Sequence, residues 1–355
     1  MDIVSSSIKI RPVPVSRRSE IDMDQIPFGR TFSDHMLIAR YENGAWQEPE
    51  IIPYGPLNFA PSISALNYGQ SVFEGMKAHK SPSGDVLLFR PEENFKRMNY
   101  SAYRLAMPQI PEEIFMEGIR ELVRLDQSWV PNADQGALYL RPLNFAVDEY
   151  IGVKASDSYI FTVFTSPVGP YYKEPVKLLV TKDYIRAATG GTGAAKAAGN
   201  YASALLPDKL AKQQGYHNVL WLDGRNQEYI EECGTMNIFF VVDDIIITPR
   251  LSGTILPGIT RNSVIRILED KGYNVQARPI SIYELQQAYR ENRLKEAFGT
   301  GTAATISHIS TIGFAGEDWN LPAVEERRVG PWLSDQLVGL RTGIIEDSYG
   351  WIESL

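Results

Sequence analysis

Lys196 is the one cation in the stretch Thr189-Gly-Gly-Thr-Gly-Ala-Ala-Lys-Ala-Ala-Gly-Asn-Tyr201, surrounded by residues with almost no side chain. An amine that must bond to a bulky carbonyl partner needs such clearance, whereas a surface lysine does not. The chemistry this suggests is imine formation, in which the lysine loses its proton and attacks a carbonyl. The plain alternative is a solvated lysine on an alanine-rich helix. A Walker loop does not fit, because no glycine immediately precedes Lys196 and Ala197 stands where a Ser or Thr is needed.

Glu232 is the natural complement. It lies in Glu231-Glu-Cys-Gly-Thr-Met-Asn237, just before the apolar run Ile238-Phe-Phe-Val-Val242. A carboxylate at the mouth of a buried strand is costly unless a cation meets it. A protonated pyridine nitrogen would do, and the pair would keep such a ring an electron sink; the alternative is an ordinary strand-end glutamate. Leu256-Pro-Gly-Ile-Thr260 runs straight into a helical pattern from Arg261, and helix starts present backbone N–H groups suited to phosphate. A Pro-Gly turn with a threonine cap reads the same way. Arg90 and Arg141 each end a strand-like run, where a guanidinium can grip a phosphate or carboxylate through two parallel hydrogen bonds or simply pair with a rim acid. Phe298-Gly-Thr-Gly-Thr-Ala-Ala304 fits the dinucleotide fingerprint GxGxxA, but it comes late in the chain and no good helix follows it. Tyr68, Phe73 and Tyr139 read as core or interface aromatics.

These groups need a scaffold. In the N-terminal half, Met36–Tyr41 and Ala45-Trp46 form a hairpin around Asn43-Gly44, the pair a type I′ turn asks for. A second hairpin joins Gly75–His79 to Asp85–Phe89. Helices are expected over Glu92–Leu105 and Pro111–Ser128, then strands over Ala137–Leu143 and Tyr159–Thr165. Pro167-Val-Gly-Pro170 and Pro175 mark a linker. The C-terminal half alternates more strictly. Strands are expected over Val176–Thr181, Val219–Leu222, Ile238–Val242 and Ile245–Thr248, and around Phe298 and Ile306. Helices are expected over Tyr201–Gln214, Thr260–Lys271, Tyr283–Leu294 and Val329–Ile345. The fold class is α/β with mixed sheets (α+β in part). A small N-terminal domain over 1–170 and a linker over 171–176 precede a larger C-terminal domain over 177–355.

Composition bounds the function. Lysine plus arginine is 35 and aspartate plus glutamate 43, giving a net charge of −8, which disfavours nucleic acid. No apolar run approaches the ~20 residues of a membrane span. Met1 to Gln25 has no signal-peptide core, and its acidic residues argue against a transit peptide. Cys233 is the only cysteine, so no intrachain disulfide is possible, and a reducing cytoplasm is expected. The four histidines are far apart in sequence, and no metal is expected.

In their order and spacing these signals resemble the branched-chain-amino-acid aminotransferases, of the fold-type IV pyridoxal-phosphate enzymes. The matching stretches are Phe28-Gly-Arg-Thr-Phe-Ser-Asp-His-Met36, Phe73-Glu-Gly-Met-Lys-Ala78, Leu88-Phe-Arg-Pro91, Tyr139-Leu-Arg-Pro142, Gly190–Gly193 with Lys196 and Asn200-Tyr201, Gly234-Thr-Met-Asn-Ile238, Leu256-Pro-Gly258 and Gly301-Thr-Ala303. The resemblance implies a cofactor, pyridoxal 5′-phosphate, held by Lys196 as an imine, with Lys196 then serving as acid and base. Glu232 would pair with the pyridine nitrogen and Tyr201 with the phenolic oxygen. Arg90, the backbone of Ile259 and Thr260, and Thr302 would hold the phosphate, with Arg186 on the phosphate side. Thr235, the Ala303 backbone and Tyr68 would receive the substrate α-carboxylate. Phe28, Phe73 and Tyr139 would wall an apolar pocket, and Arg141 would take the distal carboxylate of glutamate or 2-oxoglutarate. A loop from a second subunit, here Ile151 and Val153, would cover that pocket, which implies a homodimer. The substrates would be L-leucine, L-isoleucine and L-valine, with ping-pong exchange against 2-oxoglutarate and no nucleic-acid or membrane partner.

This chain departs from the family in two respects, one being Cys233 beside Glu232, where relatives often have valine and where a small buried hydrophobe is expected. Where some animal members carry a redox-sensing CxxC, this chain reads Ala304-Thr-Ile-Ser307. The alternative reading is a fold-type IV D-amino acid or (R)-amine transaminase, or a lyase; Arg141 in its Tyr-x-Arg-Pro setting and the long N-terminal region favour the first. A nucleotide-dependent dehydrogenase using the Gly299–Ala304 loop and a non-catalytic scaffold are the readings from other classes.

Overall fold

The computed structural model of the chain describes residues 8–169 and 174–355. The expected linker over 171–176, and the N-terminal stretch over 1–25, fall partly outside them. The described residues form two compact units that are discontinuous in sequence. One takes 8–169, Ala195–Ala198 and Gly339–Leu355; the other takes 174–194 and Gly199–Val338.

The first unit is built on a sheet ordered Lys9–Ile10, Glu50–Pro53, His35–Glu42, Tyr159–Val168, Ala137–Ala146, Met76–Lys80, Val86–Phe89 and Ile352–Ser354. Ala45–Trp46 and Ser71–Phe73 pair off this path. All neighbours are antiparallel except the first pair. The expected turn at Asn43-Gly44 is present, both residues having positive φ (54° and 79°). Helices Pro91–Arg104 and Glu112–Leu125 supply Met98, Ala102, Phe115, Ile119 and Leu122 to a core shared with Leu37, Val72, Met76, Ala78, Leu138 and Leu140 of the sheet. Strand side chains alternate between faces. With Leu138 and Leu140 in the core, Tyr139 and Arg141 lie on the opposite face. With Val72, Met76 and Ala78 in the core, Phe73, Gly75 and Lys77 lie opposite as well. The same alternation drives Glu74 into the core side.

The second unit has a sheet ordered Ile230–Cys233, Asn218–Leu222, Val176–Val180, Thr305–Phe314, Leu294–Gly301, Asn237–Val242, Ile245–Thr248 and Asn274–Ala277, with Glu317–Asn320 pairing Thr305–Phe314. Val176–Val180 is parallel to both its neighbours, so the sheet is mixed. Its core gathers Leu178, Leu220, Ile238, Phe240, Ala297 and Ile312.

Two expectations are corrected, and three strands come unannounced. The helix over Tyr201–Gln214 is two helices, Ala198–Ala202 and Leu205–Gln213. Pro207 has no N–H to give Ser203 in a continuous helix, so the break falls there. The last helix is Val329–Arg341 rather than reaching Ile345. Gly343 stops it in the left-handed region (φ +71°), its N–H bonding to Leu340 O at 3.1 Å. Lys9–Ile10, Asn274–Ala277 and Ile352–Ser354 are edge strands that no apolar alternation announces.

Candidate active site

The first unit draws Lys196 against its sheet. Ala197 bridges Val72 in antiparallel fashion, and Phe73 N–H donates to Lys196 O at 3.1 Å. The Lys196 N–H donates to Ser101 Oγ, 2.9 Å away on helix Pro91–Arg104. Lys196 is half-buried, with Nζ 4.8 Å from the centre of the Phe73 ring. Around Phe73 stand Arg141, Tyr139 and Phe28. The Arg141 guanidinium lies 4.7 Å from the Phe73 ring and 5.3 Å from the Tyr139 ring, and its Nη2 donates to Tyr139 Oη at 3.0 Å. Phe28 meets Tyr139 edge to face at 5.6 Å. Gly75 is the floor beneath Tyr139: a Cβ there would lie 2.2 Å from Tyr139 Oη. An amine, three aromatic rings and a guanidinium therefore share one face of one sheet. Apolar contact and carboxylate recognition are both available within reach of a nucleophile.

Beneath that face is a polar cluster not anticipated from sequence. Glu74 is fully buried, and Arg97 meets it with two bonds, Nε–Oε1 at 2.6 Å and Nη2–Oε2 at 2.8 Å. Asn94 Nδ2 and the Gly75 N–H also donate to its Oε2, at 2.8 and 3.1 Å. Burial alone would raise the Glu74 carboxyl, but the Arg97 guanidinium beside it, and then the Lys196 ammonium and Asn94, pull it below its ordinary value. The signal in sequence was faint: Asn94, Arg97 and Ser101, spaced to share one helix face, lie among the buried residues Met98 and Ala102.

Four further sequence-derived residues belong to this unit. Arg90 caps helix Pro91–Arg104 in the left-handed region and lays its guanidinium 4.8 Å over Trp351. Burial lowers its pKa, opposed by Glu93 and Glu92. Tyr68 ends helix Ser64–Tyr68 and is exposed. Ile151 and Val153 are 79% and 91% exposed, apolar tips on the surface of a single chain.

The second unit gathers the acid and the helix start. Glu232, 3% exposed on strand Ile230–Cys233, accepts from Leu256 N–H at 2.8 Å and Asn237 Nδ2 at 3.3 Å. The cation beside it is Arg186, with Nε 3.1 Å from Glu232 Oε2. Arg186, expected on the phosphate side, also donates to the Gly193 and Thr254 carbonyls. Asn237 spans to Leu256 O at 2.9 Å and stands against Gly258, the N-cap of helix Ile259–Asp270. Ile259 and Thr260 thus open the helix behind a cap with no side chain of its own. Tyr201 lies in helix Ala198–Ala202. Thr192 and Asn200 are bonded twice to each other, Thr192 Oγ1 to Asn200 Oδ1 at 2.6 Å and Asn200 Nδ2 to Thr192 O at 2.8 Å, which pins the ends of the segment that carries Lys196. Thr235 is exposed in the turn before Asn237–Val242. Thr302 and Ala303 are half-buried in the turn between Leu294–Gly301 and Thr305–Phe314. That turn ends the dehydrogenase reading: the fingerprint's glycines lie within a strand, and an antiparallel strand follows where a helix must. Cys233 is fully buried, and burial pushes its thiol far above its ordinary value. Among the described residues no group of three or more His, Cys, Asp or Glu could hold a metal ion, and no helix is long and apolar enough to cross a membrane.

Comparison with known proteins identifies the family. Residues 71–312 match the family Amino-transferase class IV. The chain is 46% identical to branched-chain-amino-acid aminotransferase 2 of Bacillus subtilis, over 95% of this chain and 94% of that one. It is 39% identical to the branched-chain-amino-acid aminotransferase of Mycolicibacterium smegmatis, over 92% of each. Among solved structures, the branched-chain amino acid aminotransferase from Escherichia coli superposes with TM-score 0.71 at 28% identity, over 89% of this chain and 98% of that one. The T.th. branched-chain amino acid aminotransferase complexed with N-(5′-phosphopyridoxyl)-L-glutamate also gives 0.71 at 28% identity, over 89% and 97%. Similarity along nearly the whole chain, with the mixed α/β architecture of these structures, places the chain in the branched-chain-amino-acid aminotransferases of amino-transferase class IV.

Proposed function

We propose that this chain transfers the amino group of L-leucine, L-isoleucine or L-valine to 2-oxoglutarate by alternating half-reactions, with pyridoxal 5′-phosphate bound through Lys196. The observation that carries the proposal is the placing of the Lys196 amine at 4.8 Å from the Phe73 ring, over which the Arg141 guanidinium also lies at 4.7 Å. Each unit carries groups suited to the cofactor: in the first, a lysine in a small-residue segment; in the second, a buried carboxylate at Glu232 with a guanidinium beside it, and a helix start with a glycine cap. Pyridoxal phosphate, when bound, supplies an aldehyde for the amine and a ring that takes up the electron pair released at the substrate α-carbon.

The chain's own residues do the rest. Glu232, with the Arg186 guanidinium beside it, would hold a proton at a ring nitrogen. Arg90, Thr302 and the first-turn N–H groups of Ile259 and Thr260 would hold the phosphate, and Tyr201 would meet the phenolic oxygen. Lys196 Nζ carries the proton taken from the substrate α-carbon. Thr235, Ala303 and Tyr68 receive the α-carboxylate. Phe28, Phe73 and Tyr139 select a branched alkyl group, at about 0.8 kcal/mol per methylene buried. Arg141 keeps donors for the distal carboxylate of the dicarboxylic partner. The exposed apolar tips Ile151 and Val153 belong over a second copy's pocket, making the working form a homodimer.

The test is a panel of L- and D-amino donors with 2-oxoglutarate, together with mass mapping of the borohydride-reduced, digested enzyme. Turnover of the three L-branched donors and a pyridoxyl adduct on Lys196, both lost in Lys196→Ala, are expected. An adduct elsewhere, or activity confined to D-alanine, overturns the reading.

A further inference from the structure

Both backbone groups of Lys196 are held, and by different elements. Its carbonyl takes the Phe73 N–H from the sheet, and its N–H goes to Ser101 Oγ on helix Pro91–Arg104. Ser101 is fully buried, and its hydroxyl proton is engaged by Arg97 O at 2.9 Å, which turns an oxygen lone pair toward Lys196. The same helix clamps the strand on the other side of the lysine, because Arg97 and Asn94 hold Glu74, the residue after Phe73. One helix face, carrying Asn94, Arg97 and Ser101, thus fixes both neighbours of the Lys196 peptide.

We propose that Ser101 is a positioning residue for Lys196, setting the direction from which its ε-amine reaches its partner, and that the Glu74–Arg97–Asn94 cluster keeps the receiving strand in register with it. The inference rests on Lys196 as the reactive amine. Ser101 is fully buried, with its hydroxyl oxygen bonded to the Lys196 N–H and its proton to Arg97 O. Its effect comes through the backbone: without the hydroxyl oxygen the Lys196 N–H loses its buried acceptor, the segment shifts, and an amine on a flexible stem is sensitive to such a shift.

The test compares Ser101→Ala, Ser101→Thr and Thr162→Val in the cofactor-loaded enzyme. Thr162→Val removes a buried hydrogen bond of the same unit, Thr162 Oγ1 to Leu37 O at 2.7 Å, far from Lys196 in sequence. Ser101→Ala is expected to lower kcat roughly ten- to hundred-fold while KM for leucine stays within about threefold. It is also expected to move the pH midpoint of the visible absorption band by roughly half a unit or more. Ser101→Thr restores both, and Thr162→Val lowers the melting temperature without moving the band. A Ser101→Ala band and kcat that match wild type, or a Thr162→Val band that moves equally, overturns the proposal. A second measurement needs no variant: backbone hydrogen exchange over residues 192–200 of the wild type must show Lys196 protected, and free exchange there refutes the assignment. Mapping the adduct on wild-type enzyme separates the two readings. If it is not on Lys196 the functional proposal fails; if it is on Lys196 and the band ignores Ser101, only the positioning role fails.

Discussion

Replacing Arg141 with methionine tests how one site serves two kinds of substrate. The guanidinium is half-buried and spends one nitrogen on Tyr139 Oη, while Nε has no hydrogen-bond partner among the described residues. It therefore has donors for a planar anion. A hydrogen bond to a charged group contributes about 1.5–3 kcal/mol. At about 1.4 kcal/mol per factor of ten, its loss lowers kcat/KM for glutamate roughly 10- to 150-fold. Leucine brings no distal charge. Methionine keeps an apolar stem beside Phe73, so kcat/KM for leucine is expected within about threefold of wild type. The assay runs each half-reaction alone, following the spectrum of the loaded enzyme with glutamate and, separately, with leucine. Equal losses for both donors would refute the reasoning. Arg141 would then act by holding Phe73 and Tyr139 in place rather than by binding a carboxylate.

Three further outcomes follow from the same geometry. Gly75→Ala forces Tyr139 aside, because the new Cβ would meet Tyr139 Oη at 2.2 Å; a cost of about 1–3 kcal/mol in urea unfolding and a raised KM for branched donors are expected. Glu74→Gln breaks a buried pair and costs about 3–5 kcal/mol near neutral pH. Since Glu74 titrates below its ordinary 4.5 in the folded chain, its contribution is present above that value and fades as pH falls through the lowered one. The gap in urea midpoint between wild type and variant should therefore narrow below about pH 4.5. Cys233, buried with its thiol pushed up by burial, should resist iodoacetamide at about pH 8 in the native enzyme and react fully once unfolded.

The residues with unusual company in sequence were the legible ones. Lys196 among alanines and glycines stood out by its chemistry, whereas Phe73 and Tyr139 read as ordinary aromatics until the family resemblance gave them a place, and Arg141, expected to end a strand-like run, lies inside Ala137–Ala146. Strand alternation then explains why three of them share a face: Leu138 and Leu140 are drawn to the core, so Tyr139 and Arg141 must point away. What escaped notice was polar and buried. Glu74, Arg97 and Ser101 look like surface residues on composition alone, and only their pairing in three dimensions makes their burial tolerable. Arg186 shows a related limit, since nothing local in Asp183-Tyr-Ile-Arg186 announces that it meets Glu232. The helix break before Leu205 was missed although Pro207 signals it, and the edge strands were missed because pairing on one side leaves little apolar pattern.

The C-terminal strand Ile352–Ser354 bonds to Val86–Phe89, and Glu353 pairs with Arg120 of the second long helix of that unit. During synthesis, the rim formed by Val86–Phe89 waits while the whole second unit leaves the ribosome. Until its late partner arrives, it is an open template for any passing strand. A nascent chain stalled in that interval should recruit chaperones at this rim, and shortening the wait by circular permutation should raise the yield of soluble enzyme.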